Sequence, residues 1–510
     1  MKAFIRLLRS AVVPVLLLAQ PGAVQAQKRQ QAAAAPNIIY ILTDDLGIGD
    51  VKLYNKNGKI QTPNIDRIGQ EGMRFDDVHA SSAVCTPSRY SIITGRYAWR
   101  SRLAKGVIDG YGKPLIDSSR LTVARFLQQN GYATACIGKW HLGLGWKITK
   151  PGKIPEVDYS SRITGGPNAL GFDYFYGIAA SLDMPPFVFI ENDRTVGLPN
   201  TTKKWVREGP AAADFEAVDC LPALTSKAVS YIHNRSKEPR PFFLYFTLPS
   251  PHTPIVPSDA FKGKSGVTEY GDYVMETDWA VGELLKAVDE GKIAENTLIM
   301  FASDNGFAPY VLNTWNVEAQ GHYPSLEYRG YKADIWEGGH RIPFLVKWPR
   351  MVRAGTSCNY TVCLSDFMAT VAGILRKPLP DAAAGDSYNI LPYLTGLSSR
   401  EIREATVHHS IDGNFAIRQG KWKLELCPGS GGWAAPKNAE AFKRGLPVVQ
   451  LYDLDTDIRE QHNVQAAYPE VVKRLTALLQ QYVDNGRSTP GRRQKNDAPV
   501  DLWKKGYAAE

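Results

Sequence analysis

The sequence predicts an α/β fold in which a mainly parallel sheet is sandwiched by helices, with a smaller C-terminal subdomain made of an antiparallel sheet and a helix. Up to about residue 375, short apolar runs alternate with helical patterns, and this alternation is typical of a parallel sheet covered on both faces. Beyond that point the runs shorten and turn residues separate them, which predicts antiparallel strands.

Four apolar runs predict the buried strands of the parallel sheet. Their length and β-branched content fit strands covered on both sides: NIIYILT (37–43), YATACIG (132–138), PFFLYFTLPSPH (241–252) and TLIMFAS (297–303). Each run leads into polar residues at its C-terminal end. Because ligands of such sheets bind outside the carboxyl ends of the strands, we expect one shared site there.

Helical patterns and turn signals predict the remaining elements. One helix should begin after Thr122 and stop near Gly131, and a second should cover about 271–290. The runs ATVHHSI, NFAIRQ, KWKLELC and VVQLYDL predict the C-terminal sheet, and a helix follows at about 468–484. We therefore divide the chain into an N-terminal domain that holds the site (36–378), an antiparallel-sheet subdomain (385–486) and a basic tail (487–510).

Residues 1–26 have the features of a signal peptide. Lys2, Arg6 and Arg9 precede the apolar run AVVPVLLLA, and small residues lead to Ala26. The run is too short to span a bilayer, and the sequence suggests no other membrane span. We therefore expect an exported protein that is periplasmic or extracellular after cleavage.

The composition is that of an ordinary globular protein, with 510 residues, of which 44% are hydrophobic and 22% charged. Part of the formal charge of +9 lies in the tail, which is either a solvated segment or a surface that attracts polyanions. No nucleic-acid partner is expected. The six cysteines are too few for a disulfide framework, and none has zinc spacing. Cys136 should be buried, and a Cys358–Cys363 pair stays open.

Acidic and amide side chains at two strand ends predict a metal site. Asp44 and Asp45 follow the first run, and Asp304 and Asn305 follow the fourth. All four offer hard oxygen ligands, which suit calcium or magnesium. The alternative is that both pairs are turn residues that cap the next helices.

Five basic side chains could surround a tetrahedral anion beside that metal: Arg89, Lys139, His141, His252 and Lys332. A divalent metal next to cationic donors is what transfer of a phosphoryl or sulfuryl group requires. The alternatives are that the two lysines lie on a solvated surface and that His252 is an ordinary loop residue.

Cys85 does not fit this oxygen-rich chemistry as a plain thiol. At the start of a helix that Gly95 ends, a thiolate would be activated by the helix dipole and would serve as a nucleophile. Thiolates are poor ligands for calcium, however, so thiol chemistry conflicts with the predicted metal site.

The motif CTPSR (85–89), followed by TGR (94–96), resembles the signature of the type I sulfatases, arylsulfatase A-like members of the alkaline phosphatase superfamily. Further motifs support the resemblance along most of the chain: NIIYILTDDLGIGD, TPNIDRIGQEGMRF, GKWHLG, PHTP, SDNG and RGYKADIWEGGHRIPFLVKWP. In that family a maturation enzyme oxidises the cysteine to formylglycine (3-oxoalanine), whose hydrate is the nucleophile. The resemblance therefore implies an alkaline-phosphatase-like fold and a formylglycine derived from Cys85.

The resemblance also implies a role for each polar residue. Asp44, Asp45, Asp304 and Asn305 match the ligands of one calcium ion. Arg89 matches the residue that braces the hydrate, and Lys139 and Lys332 match the sulfate-binding lysines, although RGYK departs from the commoner RGGK. One hydroxyl of the hydrate would attack sulfur while His252 protonates the leaving oxygen. His141 would then deprotonate the second hydroxyl, which expels sulfate.

The substrate is less well defined by the sequence. Resemblance to carbohydrate sulfatases implies a 4- or 6-sulfated galactose or N-acetylgalactosamine, with Asp183 and His409 contacting sugar hydroxyls and Trp433 stacking on a ring. The alternatives are a turn residue, a strand residue and surface packing, respectively.

Three other functions remain open at the sequence level. One is a phosphonate or phosphodiester hydrolase of the same superfamily, which comparison of sulfate and phosphate esters would distinguish. Another is a calcium-dependent binder of sulfated glycans in which Cys85 is never converted. The third is a thiol hydrolase that iodoacetamide would block.

Overall fold

The computed structural model describes residues 35–504 and residue 506. The predicted signal peptide, 1–26, lies outside the described residues. Within the described part of the chain, none of the helices combines the length and apolar character that a membrane span requires.

The described strands belong to one large sheet and four smaller ones. In chain order they are β1 (Asn37–Thr43), β2 (Met73–Phe75), β3 (Val78–His79), β4 (Ala133–Lys139), β5 (Ile148–Lys150), β6 (Glu156–Val157), β7 (Tyr174–Ile178), β8 (Ile190–Glu191), β9 (Arg194–Thr195), β10 (Thr201–Trp205), β11 (Arg207–Ala211), β12 (Phe242–Thr247), β13 (Thr297–Ser303), β14 (Phe344–Lys347), β15 (Thr356–Cys358), β16 (Val362–Cys363), β17 (Thr406–His409), β18 (Phe415–Gln419), β19 (Trp422–Glu425) and β20 (Gln450–Asp453). The large sheet has the order β15-β2-β14-β13-β1-β12-β4-β7-β8-β9.

The α-helices lie mainly between these strands. They are α1 (Pro63–Gln70), α2 (Cys85–Thr94), α3 (Val123–Gln129), α4 (Ala217–Arg235), α5 (Glu269–Glu290), α6 (Tyr310–Trp315), α7 (Glu337–His340), α8 (Phe367–Leu375), α9 (Leu391–Leu394), α10 (Asn438–Lys443) and α11 (Pro469–Asn485). The Thr122 hydroxyl accepts the Arg125 N–H and caps α3 as predicted.

The large sheet separates two hydrophobic cores. Ile38, Tyr40 and Leu42 of β1 point into a core shared with α2, α3 and α8. Ile39 and Ile41 point into the opposite core, shared with α1, α4 and α5. Because successive side chains of a strand point to opposite faces, this alternation places helices on both sides of the sheet. The predicted sandwich is confirmed.

Five adjacent strands in the middle of the sheet run parallel, in the order β13-β1-β12-β4-β7. Thr43 at the end of β1 is opposite Ser303 at the end of β13, and Thr247 of β12 is opposite Gly138 of β4. The residues that follow these strands therefore emerge at one edge of the sheet.

The C-terminal sheet is an antiparallel meander in the order β17-β18-β19-β20. Leu475 and Leu479 of α11 pack with Ile417 and Leu424 of this sheet in a third core. This arrangement confirms the small antiparallel sheet with a helix, whereas the division of the chain into domains stays a prediction.

The basic tail differs from the solvated segment that charge alone suggested. Asp497 pairs with Arg96 at 2.9 Å and with Arg120 at 3.0 Å, and Leu502 is buried. These contacts hold the described part of the tail against the N-terminal half of the chain. All six cysteines are free and buried, so Cys358 and Cys363 do not pair in this structure.

Candidate active site

The predicted oxygen ligands meet at the edge where β1 and β13 end. Asp45 donates its backbone N–H to Asp304 Oδ1 at 3.3 Å, and Asn305 Nδ2 donates to Asp45 Oδ1 at 2.7 Å. All four predicted ligands are almost completely buried: Asp44, Asp45, Asp304 and Asn305. Parallel register thus brings together two residue pairs that are about 260 positions apart in the sequence.

Buried cations lie directly against these carboxylates. Lys139 Nζ bonds Asp44 Oδ2, Lys332 Nζ donates to Asp45 Oδ2 at 2.8 Å, and Arg89 Nε donates to Asp304 Oδ2 at 2.9 Å. The solvated-surface alternative for the two lysines is therefore wrong, because both side chains are buried.

The donor set fits a hard divalent cation. Asp44 and Asp45 offer carboxylate oxygens within 4.8 Å of each other, of Cys85 Sγ and of a ring nitrogen of His252. Asp304 accepts the Asp45 N–H, and the buried Oδ1 of Asn305 has no hydrogen-bond partner among the described residues. Burial and the neighbouring Asp44 raise the pKa of Asp304 to about 6, although Arg89 opposes them. A divalent cation bound to these oxygens would favour the ionised form of each carboxyl and would use the free amide oxygen.

Cys85 is the first residue of α2 and lies beside the same carboxylates. Its Sγ is 3.5 Å from Asp44 Oδ1, and the side chain is buried. Burial raises the pKa of the Cys85 thiol well above its ordinary value, and the nearby lysines do not compensate. Burial thus opposes the activation that the helix dipole would provide, which weighs against a thiol hydrolase.

The two predicted histidines approach the site from different strand ends. His141 Nε2 is 2.6 Å from the Ile108 carbonyl, and its Nδ1 has no hydrogen-bond partner in the part of the chain that is described. Burial lowers the pKa of His141 well below its ordinary value, so the ring is neutral. His252 places Nε2 at 3.6 Å from Asp45 Oδ2, while Nδ1 is 2.7 Å from the Thr253 carbonyl.

A cavity of about 670 Å³ opens above these groups. It reaches Cys85, His141, His252 and Lys332 at its base and Asp183 and Trp433 on its walls. A volume of this size is in the range of small-molecule sites.

The structure separates the two predicted sugar contacts. Asp183 lines the cavity, with Oδ1 at 3.9 Å from His252 Nδ1. His409 is fully buried in β17, and its carbonyl accepts the Ala83 N–H and the Ser82 hydroxyl, both at 3.0 Å. Its ring is not among the side chains that line the cavity. His409 therefore supports the segment before Cys85 through its backbone.

Three further residues shape the site without having been predicted. The Tyr310 hydroxyl donates to Asp45 Oδ2 at 2.6 Å, and Arg207 Nε lies 3.8 Å from Asp183 Oδ2. Asp334 accepts the backbone N–H groups of Tyr331, Trp433 and Ala434, and so ties the Lys332 turn to the Trp433 loop. Only Asp334 carried a sequence signal, because it stands two residues after Lys332 in RGYKAD.

A family model described as "Sulfatase" matches residues 36–376. The chain belongs to the sulfatase family. It is 34% identical over 502 residues to the N-acetylgalactosamine-6-O-sulfatase of Bacteroides thetaiotaomicron, covering 88% of this chain and 93% of that protein. The chain is also 30% identical over 475 residues to human arylsulfatase A, and the match covers 88% of this chain and 87% of that protein.

A solved structure agrees with this membership. The chain from Bacteroides thetaiotaomicron, described under metabolism of multiple glycosaminoglycans, superposes with a TM-score of 0.79 at 34% identity. The match covers 88% of this sulfatase and 99% of that chain. The protein is therefore a sulfuric ester hydrolase with the alkaline phosphatase superfamily fold, and the resemblance inferred from CTPSR is confirmed.

Proposed function

We propose that this sulfatase is an exported enzyme that removes the 6-O-sulfate of N-acetylgalactosamine or galactose from a glycan fragment. It would use a formylglycine made from Cys85 and one calcium ion. The observation that carries the substrate is the 34% identity, over 88% of this chain, to an N-acetylgalactosamine-6-O-sulfatase. A maturation enzyme that acts on CTPSR is the partner that this proposal requires.

Asp44, Asp45, Asp304 and Asn305 would hold the calcium ion, since all four are buried at one edge of the sheet and the Asn305 amide oxygen has no described hydrogen-bond partner. When present, the ion supplies positive charge that polarises the sulfate, and the hydrated formylglycine supplies an oxygen nucleophile.

The protein's own side chains would stabilise the charge that develops on the sulfate. Lys332 lines the cavity, and Lys139 pairs with Asp44, which is in contact with Cys85 of the cavity lining. Arg89 bonds both Asp304 and the Lys139 carbonyl, at 2.9 and 3.0 Å, so it fixes the strand end that carries Lys139. Fixed cations in a buried site stabilise developing negative charge without reorganisation.

The two histidines would move the protons. The ring of His252 lines the cavity, so its Nε2 would donate a proton to the leaving sugar oxygen. His141 also lines the cavity, and its Nδ1, which lacks a described partner, would accept a proton from the nucleophilic group. The Ile108 carbonyl accepts the Nε2 proton of His141 and thereby leaves Nδ1 basic.

The walls of the cavity suit a sugar ring. The ring centroids of Tyr310 and Trp433 lie 6.4 Å apart with the ring planes tilted by 49°, and both residues line the cavity. Asp183 supplies a carboxylate oxygen that has no hydrogen-bond partner within the described residues, and Arg207 adds a cation at the rim. Aromatic faces with a few fixed polar groups are typical of sites that orient a small polar ligand.

Release of inorganic sulfate from matched sugar sulfates, and of inorganic phosphate from a matched sugar phosphate, tests the substrate specificity. The substrates would be N-acetylgalactosamine 6-sulfate and 4-sulfate, galactose 6-sulfate, N-acetylglucosamine 6-sulfate and N-acetylgalactosamine 6-phosphate. We expect the highest kcat/KM for the galacto-configured 6-sulfates, with no turnover by Cys85→Ala. Faster release from the 4-sulfate or the phosphate ester would refute the proposed specificity.

Export is tested by the N-terminus of the mature protein. We expect protein from the native host's periplasm or medium to begin at Gln27. Recovery of the intact N-terminus from the cytoplasm alone would contradict export.

A further inference from the structure

A second cavity, of about 530 Å³, lies next to the active-site cavity. Three segments of the chain contribute side by side to both. One residue of each segment lines the second cavity, and a close neighbour lines the active-site cavity: Lys105 and Val107, Asp412 and Ile411, and Gly432 and Trp433. Because two residues along the chain span at most about 7 Å, the two cavities come close enough for one oligosaccharide to reach both.

Backbone hydrogen bonds join these segments into one partition between the cavities. Gly106 donates its N–H to the Ile411 carbonyl at 2.7 Å, and Asp412 donates its N–H to the Gly431 carbonyl at 3.3 Å. The position of the second cavity relative to the catalytic groups is therefore fixed by the backbone.

The lining of the second cavity is rich in charged side chains. Lys105, Lys437 and Lys504 come from three separate parts of the chain, and Asp412 and Asp501 accompany them. Three lysines against two aspartates give the lining a net charge of +1, and we call it the basic cavity. Lysines bind anionic groups, while carboxylates accept hydrogen bonds from hydroxyl groups. This combination suits a sugar that carries an anionic group.

Lys504 of the C-terminal tail is held at the wall of the basic cavity. Its Nζ donates to the Ala104 carbonyl at 2.6 Å and lies 5.7 Å from the centroid of the Phe415 ring. Burial lowers the pKa of Lys504 below its ordinary value, Asp501 opposes this shift, and Lys105 adds to it. A bound anion would offset the repulsion between the two lysines.

Trp99 forms part of the same lining and offers a buried indole N–H. Its Nε1 has no hydrogen-bond partner among the described residues, and the residue is only 3% exposed. Neighbouring side chains fix the ring, since the Phe415 ring centroid is 5.3 Å away and the Arg100 guanidinium is 4.1 Å away. An indole N–H can only donate, and a buried donor is costly unless water or a ligand accepts from it.

We propose that the basic cavity is a subsite for the sugar next to the sulfated one, and that its lysines bind a carboxylate or sulfate group of that sugar. This rests on the proposed function, because one glycan must place its sulfate ester in the active-site cavity while the adjoining sugar crosses the partition. The preferred substrate is then an oligosaccharide with an anionic group on each of two adjoining sugars. The lysines hold the substrate and take no part in the chemistry, since none of the three lines the active-site cavity.

A solvated basic surface explains only part of this arrangement. Lys105 and Lys437 are exposed, as they would be on such a surface. Lys504, however, is half-buried, and Trp99 brings a buried donor to the same cavity. Both features favour a bound ligand over solvent alone.

Matched disaccharides test the subsite through turnover. N-acetylgalactosamine 6-sulfate is linked to glucuronate, glucuronate methyl ester, glucose 6-sulfate or glucose, through C1 in one series and through O3 in another. In one of the series we expect kcat/KM to be at least about fivefold higher for a charged neighbour than for its neutral counterpart, mainly through KM. Comparison of the gains for glucuronate and glucose 6-sulfate shows which anion the subsite prefers.

Variants at the exposed lysines assign that gain to the basic cavity. The double variant Lys105→Gln, Lys437→Gln should lose the gain and keep the wild-type kcat/KM for N-acetylgalactosamine 6-sulfate alone. Lys286→Gln, at a side chain of α5 that is 64% exposed and lines neither cavity, should keep both. The gain should also shrink as NaCl is raised, because salt screens exposed charges. The subsite is overturned if neither series shows a gain or if the gain survives in the double variant.

Lysine acylation decides the case if the enzyme turns over none of these sugars, an outcome that would refute the proposed function. Cys85→Ala protein is acylated with an N-hydroxysuccinimide ester, with and without polysulfated maltotetraose, and the modified lysines are quantified by mass spectrometry. We expect acylation of Lys105 and Lys437 to slow at least about threefold once the probe exceeds twice its Kd, with Lys286 unaffected. Protection would leave the subsite standing although the proposed sugar is wrong, whereas no protection would overturn both.

Discussion

Cys85 Sγ lies 3.5 Å from Asp44 Oδ1, so the cysteine of CTPSR is in contact with the carboxylate that follows β1. The same carboxylate bonds Lys139, and Asp45 bonds Lys332 at 2.8 Å. Cys85, the two carboxylates and the two lysines are therefore parts of one buried network. A hard oxygen derived from Cys85 suits this network better than a thiol does.

Replacement of His252 should affect sugar sulfates more than aryl sulfates. His252→Ala removes the group placed to protonate the leaving oxygen, so kcat for a sugar sulfate should fall roughly 10²–10⁴-fold. Turnover of 4-nitrophenyl sulfate should fall far less, because that leaving group needs little protonation. The control is His462→Gln, whose ring is 78% exposed. Equal losses on both substrates for His252→Ala, with His462→Gln unaffected, would show that His252 is not the general acid.

Replacement of Asn305 should weaken calcium binding. Asn305→Ala removes the free buried amide oxygen and the bond from Nδ2 to Asp45 Oδ1. After EGTA treatment, the CaCl₂ concentration for half-maximal activity should rise at least about tenfold, with kcat recovered at saturation. An unchanged calcium requirement would place the ion elsewhere.

Asp278 should make folding stability depend on pH. Its carboxylate accepts the Asn64 and Ile65 N–H groups at the start of α1, and burial raises its pKa to about 6. The pKa of Asp278 in the folded protein therefore exceeds its value of about 3.9 in the unfolded chain. The contribution of Asp278 to the free energy of unfolding is complete below about pH 4 and is lost as the pH rises through 6.

Asp278→Asn should therefore flatten the decline of unfolding free energy between pH 4.5 and 7.5, a difference of up to about 3 kcal/mol. Urea denaturation across that range measures it, and Asp259→Asn, at a side chain that is 94% exposed, is the control. The interpretation is wrong if Asp278→Asn retains the wild-type slope.

Trp433 should contribute to sugar binding more than to chemistry. Its ring lines the cavity and is 40% exposed, so Trp433→Ala should leave the fold intact. We expect KM for a sulfated galactosamine to rise roughly tenfold, which corresponds to about 1.4 kcal/mol, while kcat changes less than about twofold. Leu397→Ala, at an exposed position outside the cavity, serves as the control. A change in kcat alone would contradict a stacking role.

Much of the fold and of the active site could be predicted because the decisive signals are local. The runs 37–43 and 297–303 have the same bounds as β1 and β13, and the polar residues that follow each strand lie where parallel register requires. The active site could be predicted because its polar residues directly follow strands that run parallel. The residues that follow parallel strands lie at the same edge of the sheet.

The remaining features depend on contacts between distant parts of the chain. The ring of His409 lies outside the cavity because β17 pairs with Ser82, and the tail is held by Asp497, which is 401 residues from Arg96. His79 and His340, whose Nδ1 atoms are 3.0 Å apart, are separated by 261 residues in the sequence. Local composition cannot specify such pairings.

Mass spectrometry of the tryptic peptide Phe75–Arg89, from enzyme made in its native host, would show whether Cys85 is converted to formylglycine. We expect the aldehyde or its hydrate in place of the Cys85 thiol in active enzyme, and we expect unconverted protein to release no sulfate. An intact Cys85 thiol in fully active enzyme would rule out formylglycine as the nucleophile.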